Sequence, residues 1–276
     1  MIRRIILLAA AMSLAVACGK SPAPKILVLY YSQSSTTKTV AEEISSRLGA
    51  DIEAIVPVTP YEGDFQATVE RGKKELDEGI LPAIQPIKAD ISSYDVIFLG
   101  YPIWFGTYAT PISTVLASVD FSGKKLVPFC SFGSGGLDSS VKAIKEKLPD
   151  TEVLPGYGVR AARVAAVPAE IERFLKAGGF LEGECQALEE CPEQHPVSEE
   201  ESAIFDAAVG DYPMIHAKAE EVSSRVVPGG VEYLFTARDI PREGSPVPAG
   251  DAPARTMKVY VLAEDGQPPV FTQVVR

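Results

Sequence analysis

The chain of 276 residues is 46% apolar and 23% charged, enough to bury a real core, which excludes a globally disordered chain. Its formal charge of −11 is unevenly placed, with 19 basic and 19 acidic residues up to residue 180 but 7 and 18 beyond it. A nucleic-acid partner held by a basic surface is therefore excluded.

The chain opens with Arg3 and Arg4, an apolar run from Ile5 to Val16 and small residues up to Cys18. That is the pattern of a signal peptide, and the run is too short to span a bilayer comfortably. The segment from Leu14 to Gly19 resembles a bacterial lipobox, with Ala15 where leucine is usual. The resemblance implies that Cys18 is lipidated, becomes the new N-terminus and anchors the protein to a membrane of the bacterial cell envelope. A plain secretory signal or an uncleaved anchor are the alternatives. Residues 19–24, small and with two prolines, read as a tether, so folding is expected to start at Lys25.

From residue 25 to 181, apolar strand-like runs alternate with amphipathic stretches. The strands are expected at Ile26–Tyr31, Ile52–Val58, Val96–Gly100, Leu126–Ser131 and Glu152–Val159. The helices are expected at Thr37–Leu48, Phe65–Glu78, Pro111–Val119, Leu137–Leu148 and Pro168–Lys176. This alternation is that of an α/β unit, a doubly wound five-stranded parallel sheet with ligands at the C-terminal strand ends. Residues 182–197 are acidic and hold Cys185, Cys191 and two prolines, which reads as a linker. In an exported protein the two cysteines suit a small disulfide loop; a zinc site with His195 would lack a fourth ligand. Residues 198–276 form a second, α+β unit: a helix over Ser198–Val209, then strands around Glu221–Val227, Val231–Ala237, Thr256–Ala263 and Val270–Val275.

The first strand runs into Ser32, Gln33, Ser34, Ser35, Thr36 and Thr37 and then into a helix. Hydroxyls and free N–H groups at a helix N-terminus suit a phosphate, although the same residues also serve as a generous N-cap. Tyr31 to Thr37 resembles the phosphate loop of flavodoxins, with Ser35 where that family has glycine. If this position requires positive φ, the serine adds about 1–2 kcal/mol of strain. The stretch from Ser93 to Thr107 resembles the third strand and flavin loop of a bacterial flavodoxin subfamily, and also the loop of flavodoxin-like NAD(P)H:quinone oxidoreductases. The resemblance implies that Pro102, Ile103, Trp104, Phe105 and Gly106 line the flavin ring; ordinary core aromatics are the competing reading. The segment Phe129 to Gly136 resembles the second flavin loop, which places Ser131, Phe132, Gly133 and Ser134 at the ring's edge. Residues 69–79 and 120–125 also resemble that subfamily.

The resemblance thus implies a flavodoxin-like fold of strand order 2-1-3-4-5 binding FMN. The function it implies is electron transfer, with NAD(P)H or a reducing partner as donor and a quinone or redox protein as acceptor. The rival is a non-catalytic binding or assembly lipoprotein that kept the fold with weak or no FMN. Gly156 to Ala161 fits a dinucleotide pattern, but no helix is expected before Pro168, so a turn or late strand is read there. His195 and His216 both fall outside the first unit, which leaves no Ser-His-acid triad beside the loops. Cys130, ending an apolar strand, reads as a buried thiol. The second unit resembles the cystatin-like fold through Ser223 to Phe235, with Val227 and Gly229 in matching places and Arg225 where cystatins have glutamine. That hairpin implies packing or partner binding before protease inhibition.

Overall fold

The computed structural model describes residues 23–62, 64–184, 191–210, 212–213, 215–240 and 255–276. Cys18 with the expected leader lies outside these residues, as does Cys185 of the expected disulfide; among the described residues Cys191 is unpaired and half-buried. Among them, too, no helix is long and apolar enough to cross a membrane, and no group of three or more acidic, His or Cys side chains could hold a metal.

The first unit runs β1 (Ile26–Tyr30), α1 (Thr36–Leu48), β2 (Asp51–Ala54), α2 (Phe65–Glu78), β3 (Val96–Trp104), β4 (Thr107–Tyr108), α3 (Thr110–Ser118), β5 (Lys125–Phe132), α4 (Leu137–Lys147), β6 (Glu152–Val153), β7 (Tyr157–Arg160) and α5 (Val167–Ala177). Its sheet has the order β2-β1-β3-β5-β6, with β7 continuing the last position beside β5 and β4 folded back on β3. All pairs except β3–β4 are parallel. Setting the hairpin strand β4 aside, this is the flavodoxin-like order expected from the sequence. Apolar runs such as Ile26–Tyr30 form these strands because helices cover both faces, and alternate residues fill two cores. Leu27, Leu29, Ile97, Leu99 and Tyr101 lie in one, and Val28, Phe98, Val127 and Phe129 lie in the other with α1 and α5.

Three strands of this unit differ clearly from their expected spans. β2, expected over Ile52–Val58, covers Asp51–Ala54, and beyond it only Pro57 bridges, to Ile84. β3 does not stop at Gly100 but runs on to Trp104, because Tyr101 and Pro102 still pair with Cys130 and Ser131 and the tip turns back through β4. The expected strand Glu152–Val159 is split into β6 and β7 around Pro155 and Gly156, where a proline cannot donate to a ladder. The dinucleotide-like stretch Gly156 to Ala161 contains the late strand β7 and runs straight into a 3-10 helix over Ala161–Ala166, so a helical segment begins before Pro168, where none was expected.

The second unit has β8 (His195–Pro196), α6 (Glu199–Val209), β9 (Ala217–Val227), β10 (Gly230–Asp239), β11 (Thr256–Glu264) and β12 (Val270–Val275). Its sheet is antiparallel, ordered β12-β11-β10-β9-β8. Helix α6 opens with a capping box in which Ser198 and Glu201 satisfy each other's backbone N–H, and it packs Phe205 against Val222, Phe235, Val259 and Phe271. β12 is the edge strand of this sheet, and it lies against the first unit.

Candidate functional site

Parallel order places the C-terminal ends of β1, β3 and β5 side by side, so the segments that follow them converge on one end of the sheet. The first of these is the hydroxyl loop. Ser35 is the N-cap of α1 with φ 67° and ψ −14°, and its side chain caps nothing. The position that the flavodoxin resemblance marks as glycine thus does adopt a left-handed backbone. The helix has no acidic residue in its first turn, so nothing neutralises the positive end of its dipole. Lys38 N donates to Ser32 Oγ at 3.2 Å, and Thr39 N to the Ser35 carbonyl at 2.9 Å. Among the described residues, the N–H groups of Gln33 to Thr37 find no protein acceptor. Left-handed serine costs about 1–2 kcal/mol, part of which glycine would give back through its larger unfolded-state entropy. Ser35→Gly is accordingly expected to stabilise the protein by about 0.5–1 kcal/mol, measured by urea denaturation of both forms.

The loop's side chains divide into two groups. Ser34, Ser35 and, partly, Ser32 and Thr36 face solvent at the helix N-terminus. Thr37 is only 1% exposed, and its Oγ1 lies 2.7 Å from Ser131 Oγ on β5. These two residues, expected in separate loops of the site, are joined to each other beneath it. Gln33 turns aside: its Oε1 accepts from Tyr31 OH at 2.5 Å and its Nε2 donates to the Tyr61 carbonyl at 3.0 Å.

The second segment is the tip of the β3–β4 hairpin. Trp104 pairs with Thr107, and Phe105 and Gly106 between them have φ 51° and 79°, the positive values that a two-residue type I′ turn requires. The turn throws the Phe105 ring outward, 43% exposed. Trp104 is half-buried and packs edge-on to Tyr31 and Tyr61, with ring centroids 5.8 and 5.0 Å away. It is therefore both a core aromatic and a cavity wall. Behind it, α2 makes room with Gly72, where a Cβ would lie 3.2 Å from the indole. Arg71 lies 3.8 Å above the Tyr61 ring and donates to Glu75 at 2.8 Å. Glu75, 6% exposed, also accepts from Tyr61 OH at 2.5 Å and Thr110 Oγ1 at 2.6 Å. Burial pushes the phenols of Tyr31 and Tyr61 up, so both remain protonated donors. None of this support was foreseen from the sequence, although a glycine in mid-helix within the stretch Val69 to Gly79 was its available sign.

The third segment is Gly133 to Gly136 after β5. Phe132 is buried, and Ile103 packs against Gly136, where a Cβ would lie 2.6 Å from Ile103 Cγ2. The backbone N–H groups of Ser134, Gly135 and Gly136 have no protein acceptor among the described residues. Cys130, fully buried with its thiol pushed up by desolvation, faces no reaction partner.

A cavity of about 880 Å³ lies between the second and third segments. Phe65, Ile103 to Gly106, Phe132 to Gly136, Tyr212 and Gln273 to Arg276 line it, together with the charged side chains of Asp138 and Lys142. The phosphate-type loop does not line it; it adjoins through the Thr37–Ser131 bond and the Tyr31–Trp104 contact. Pro102 stands just below, its carbonyl accepting from Ala109 N at 3.1 Å.

Comparison with known proteins concerns the first unit. A family profile described as Flavodoxin matches residues 25–166, just over half of the chain. Among solved structures, a candidate flavoprotein from Bacteroides eggerthii is 32% identical over 54% of this chain and 96% of its own, with a TM-score of 0.48. A second, from Bacteroides uniformis, is 26% identical over 55% and 99%, with a TM-score of 0.49. A flavoprotein from Lactobacillus acidophilus, solved in complex with FMN, is 28% identical over 49% and 93%, with a TM-score of 0.45. The curated proteins yield no match.

Proposed function

Because this chain belongs to the flavodoxin family, we propose that it binds FMN across the hydroxyl loop and the adjoining cavity and serves as a flavin electron carrier or reductase. The observation that carries this reading is the junction of two features at one sheet end: an uncapped helix N-terminus with unpaired N–H groups, and an aromatic-lined cavity of about 880 Å³. That volume lies in the range of small-molecule sites, and donors at the helix end suit a dianionic phosphate. The residues present therefore fit the group.

In this reading Ser32, Ser34, Ser35 and Thr36, with the backbone N–H groups from Gln33 to Thr37, hold the phosphate. Ile103, Trp104 and Phe105 contact the ring, and the free N–H groups of Ser134 and Gly135 face acceptors at its polar edge. Bound FMN would supply reversible electron uptake and release. The protein's own part is to orient, to exclude water with Trp104, Phe105 and Phe132, and to set the electrostatics around the ring. No histidine lies in the first unit, and Cys130 is buried away from the cavity, so the chain offers neither a general base of that type nor a reactive thiol there. NAD(P)H or a reducing partner as donor, and a quinone or redox protein as acceptor, complete the proposal. The lipobox-like segment around Cys18 supports a place in the cell envelope as an anchored lipoprotein.

Titration of the apo-protein with FMN, followed by flavin fluorescence, tests the reading. Saturable binding in the micromolar range or tighter is expected. Trp104→Ala should weaken it about tenfold, since an aromatic contact is worth about 0.5–1.5 kcal/mol beyond the area it buries. Ser34→Ala should weaken it less, about fivefold, the loss of one hydrogen bond of about 1 kcal/mol. Absence of saturable binding would favour the second reading, a binding or assembly lipoprotein that retained the fold, for which the strained Ser35 is the supporting observation.

A further inference from the structure

The edge of the second unit's sheet does not face water. Val274 N, on the outer side of β12, donates to the Ser134 carbonyl in the third segment at 2.6 Å. Gly135 permits this approach, since a Cβ there would lie 2.1 Å from the Val274 carbonyl oxygen. Arg160, at the end of β7 and only 9% exposed, ties the same place. Its Nε donates to the Gly133 carbonyl at 3.0 Å and its Nη1 to the Phe271 carbonyl at 2.7 Å. The guanidinium lies 3.3 Å from the Phe271 ring centroid and 5.4 Å from that of Tyr212. An unpaired strand edge is normally protected by charge, proline or a cover; here the cover is the glycine segment of the first unit.

The consequence concerns the cavity. Tyr212 and the terminal residues Gln273, Val274, Val275 and Arg276 line it together with Trp104 and Phe105, Tyr212 and Val274 standing next to Gly133 and Gly135. Of the glycine segment's carbonyls, that of Ser134 bonds across the interface to Val274 N, while that of Gly133 is held by Arg160 of the first unit. In a trans peptide the following N–H points the opposite way, so the docked strand leaves the N–H of Gly135 unspent for a ligand.

We propose that the second unit is a wall of the cofactor cavity, presenting Tyr212 and the C-terminal strand to the ligand, and that Arg160 is the positioning residue that keeps it there. This rests on the FMN reading for the ligand's identity, while the docking of the wall does not depend on it. A walled cavity admits a small planar co-substrate and keeps a folded redox partner from the ring on that side. The C-terminal unit is then a specificity element of the site.

The test uses the full chain and two variants. Gly135→Ala places a methyl group against the backbone of Val274 and against nothing nearer. Val274→Pro removes the donor itself, at an edge-strand N–H where proline is tolerated within the sheet. Hydrogen exchange is read first, without FMN: the Val274 amide of the wild type should exchange at least tenfold more slowly than in Gly135→Ala, with the rest of β11 and β12 protected in both. FMN titration and iodide quenching of bound flavin are read second. Both variants should bind FMN about fivefold more weakly and show a quenching constant raised several-fold, and Arg160→Ala should behave alike. Equal exchange of Val274 in wild type and Gly135→Ala would overturn the docked wall. Protected Val274 with unchanged affinity and quenching in the variants would overturn its role in the site. A wild type that protects Val274 but binds no FMN would overturn the cofactor reading and the assignment of the wall to FMN with it.

Discussion

Gly100→Ala is expected to destabilise the protein by about 3 kcal/mol, the upper part of the range for overpacking a core. Gly100 lies in the middle of β3, between Tyr30 of β1 and Phe129 of β5. A Cβ at this position would sit 2.2, 2.4 and 2.9 Å from three carbons of the Phe129 ring. That ring is fully buried in the core formed with Phe98, Val127 and α5, so it cannot swing into solvent. Either the β3–β5 ladder opens or Phe129 leaves its rotamer. Equilibrium urea denaturation should show a lower midpoint at unchanged slope, and the thermal midpoint should fall by several degrees. Because the ladder between Tyr101 and Pro102 on β3 and Cys130 and Ser131 on β5 carries the hairpin tip and the Thr37–Ser131 bond, FMN affinity should fall as well. A variant as stable as the wild type would mean that the close packing of Phe129 on Gly100 does not hold in solution.

Glu75→Ala is expected to cost about 2–3 kcal/mol. Removing one partner of a fully buried ion pair costs about 3–5 kcal/mol, and the figure is reduced here because the Arg71 side chain retains 31% exposure. Three donors lose their acceptor: Tyr61 OH, Thr110 Oγ1 and Arg71 Nε. The two hydroxyls stand 2.9 Å apart and can satisfy each other in part, whereas the guanidinium loses its charged partner, keeps only its Nη1 bonds to the Thr59 and Pro60 carbonyls and is less firmly held over the face of Tyr61. Trp104 leans on that ring, so its emission should broaden and shift to the red. As the sequence holds one tryptophan, the spectrum reports this site alone. Glu75→Gln keeps an acceptor for both hydroxyls and should recover about half of the loss by the same denaturation measurement. An unchanged emission in Glu75→Ala would show that Trp104 is held without the buried network.

The local pattern of residues determined most of the first unit by itself. Continuous apolar runs such as Ile26–Tyr30 leave a strand no solvent face, which requires helices on both sides and hence a parallel sheet. Helix α2 was legible to the residue, Phe65–Glu78, because Asp64 and Gly79 are strong stop signals at its two ends. The flavodoxin resemblance marked residue 35 as a glycine position and left positive φ there as a condition, which the structure meets with φ 67°. The extension of β3 to Trp104 was not, because it depends on partners in β5 and on the hairpin's own turn. Thr37 and Ser131 read separately as ligands, and only the tertiary structure brings their hydroxyls within 2.7 Å.

The support of Trp104 by Tyr31, Tyr61, Glu75 and Gly72, and the closing of the cavity by Tyr212, Arg160 and β12, were decided entirely by the tertiary structure. Periodicity and turn chemistry report the neighbours of a residue along the chain. A contact such as that of Val274 with Ser134 joins positions far apart in sequence, and it exists only because β12 is an edge strand and Gly135 has no side chain to keep it away. The apolar residues Phe271 and Val274 of β12 require a buried face; they carry no information about which surface meets the strand's unpaired edge.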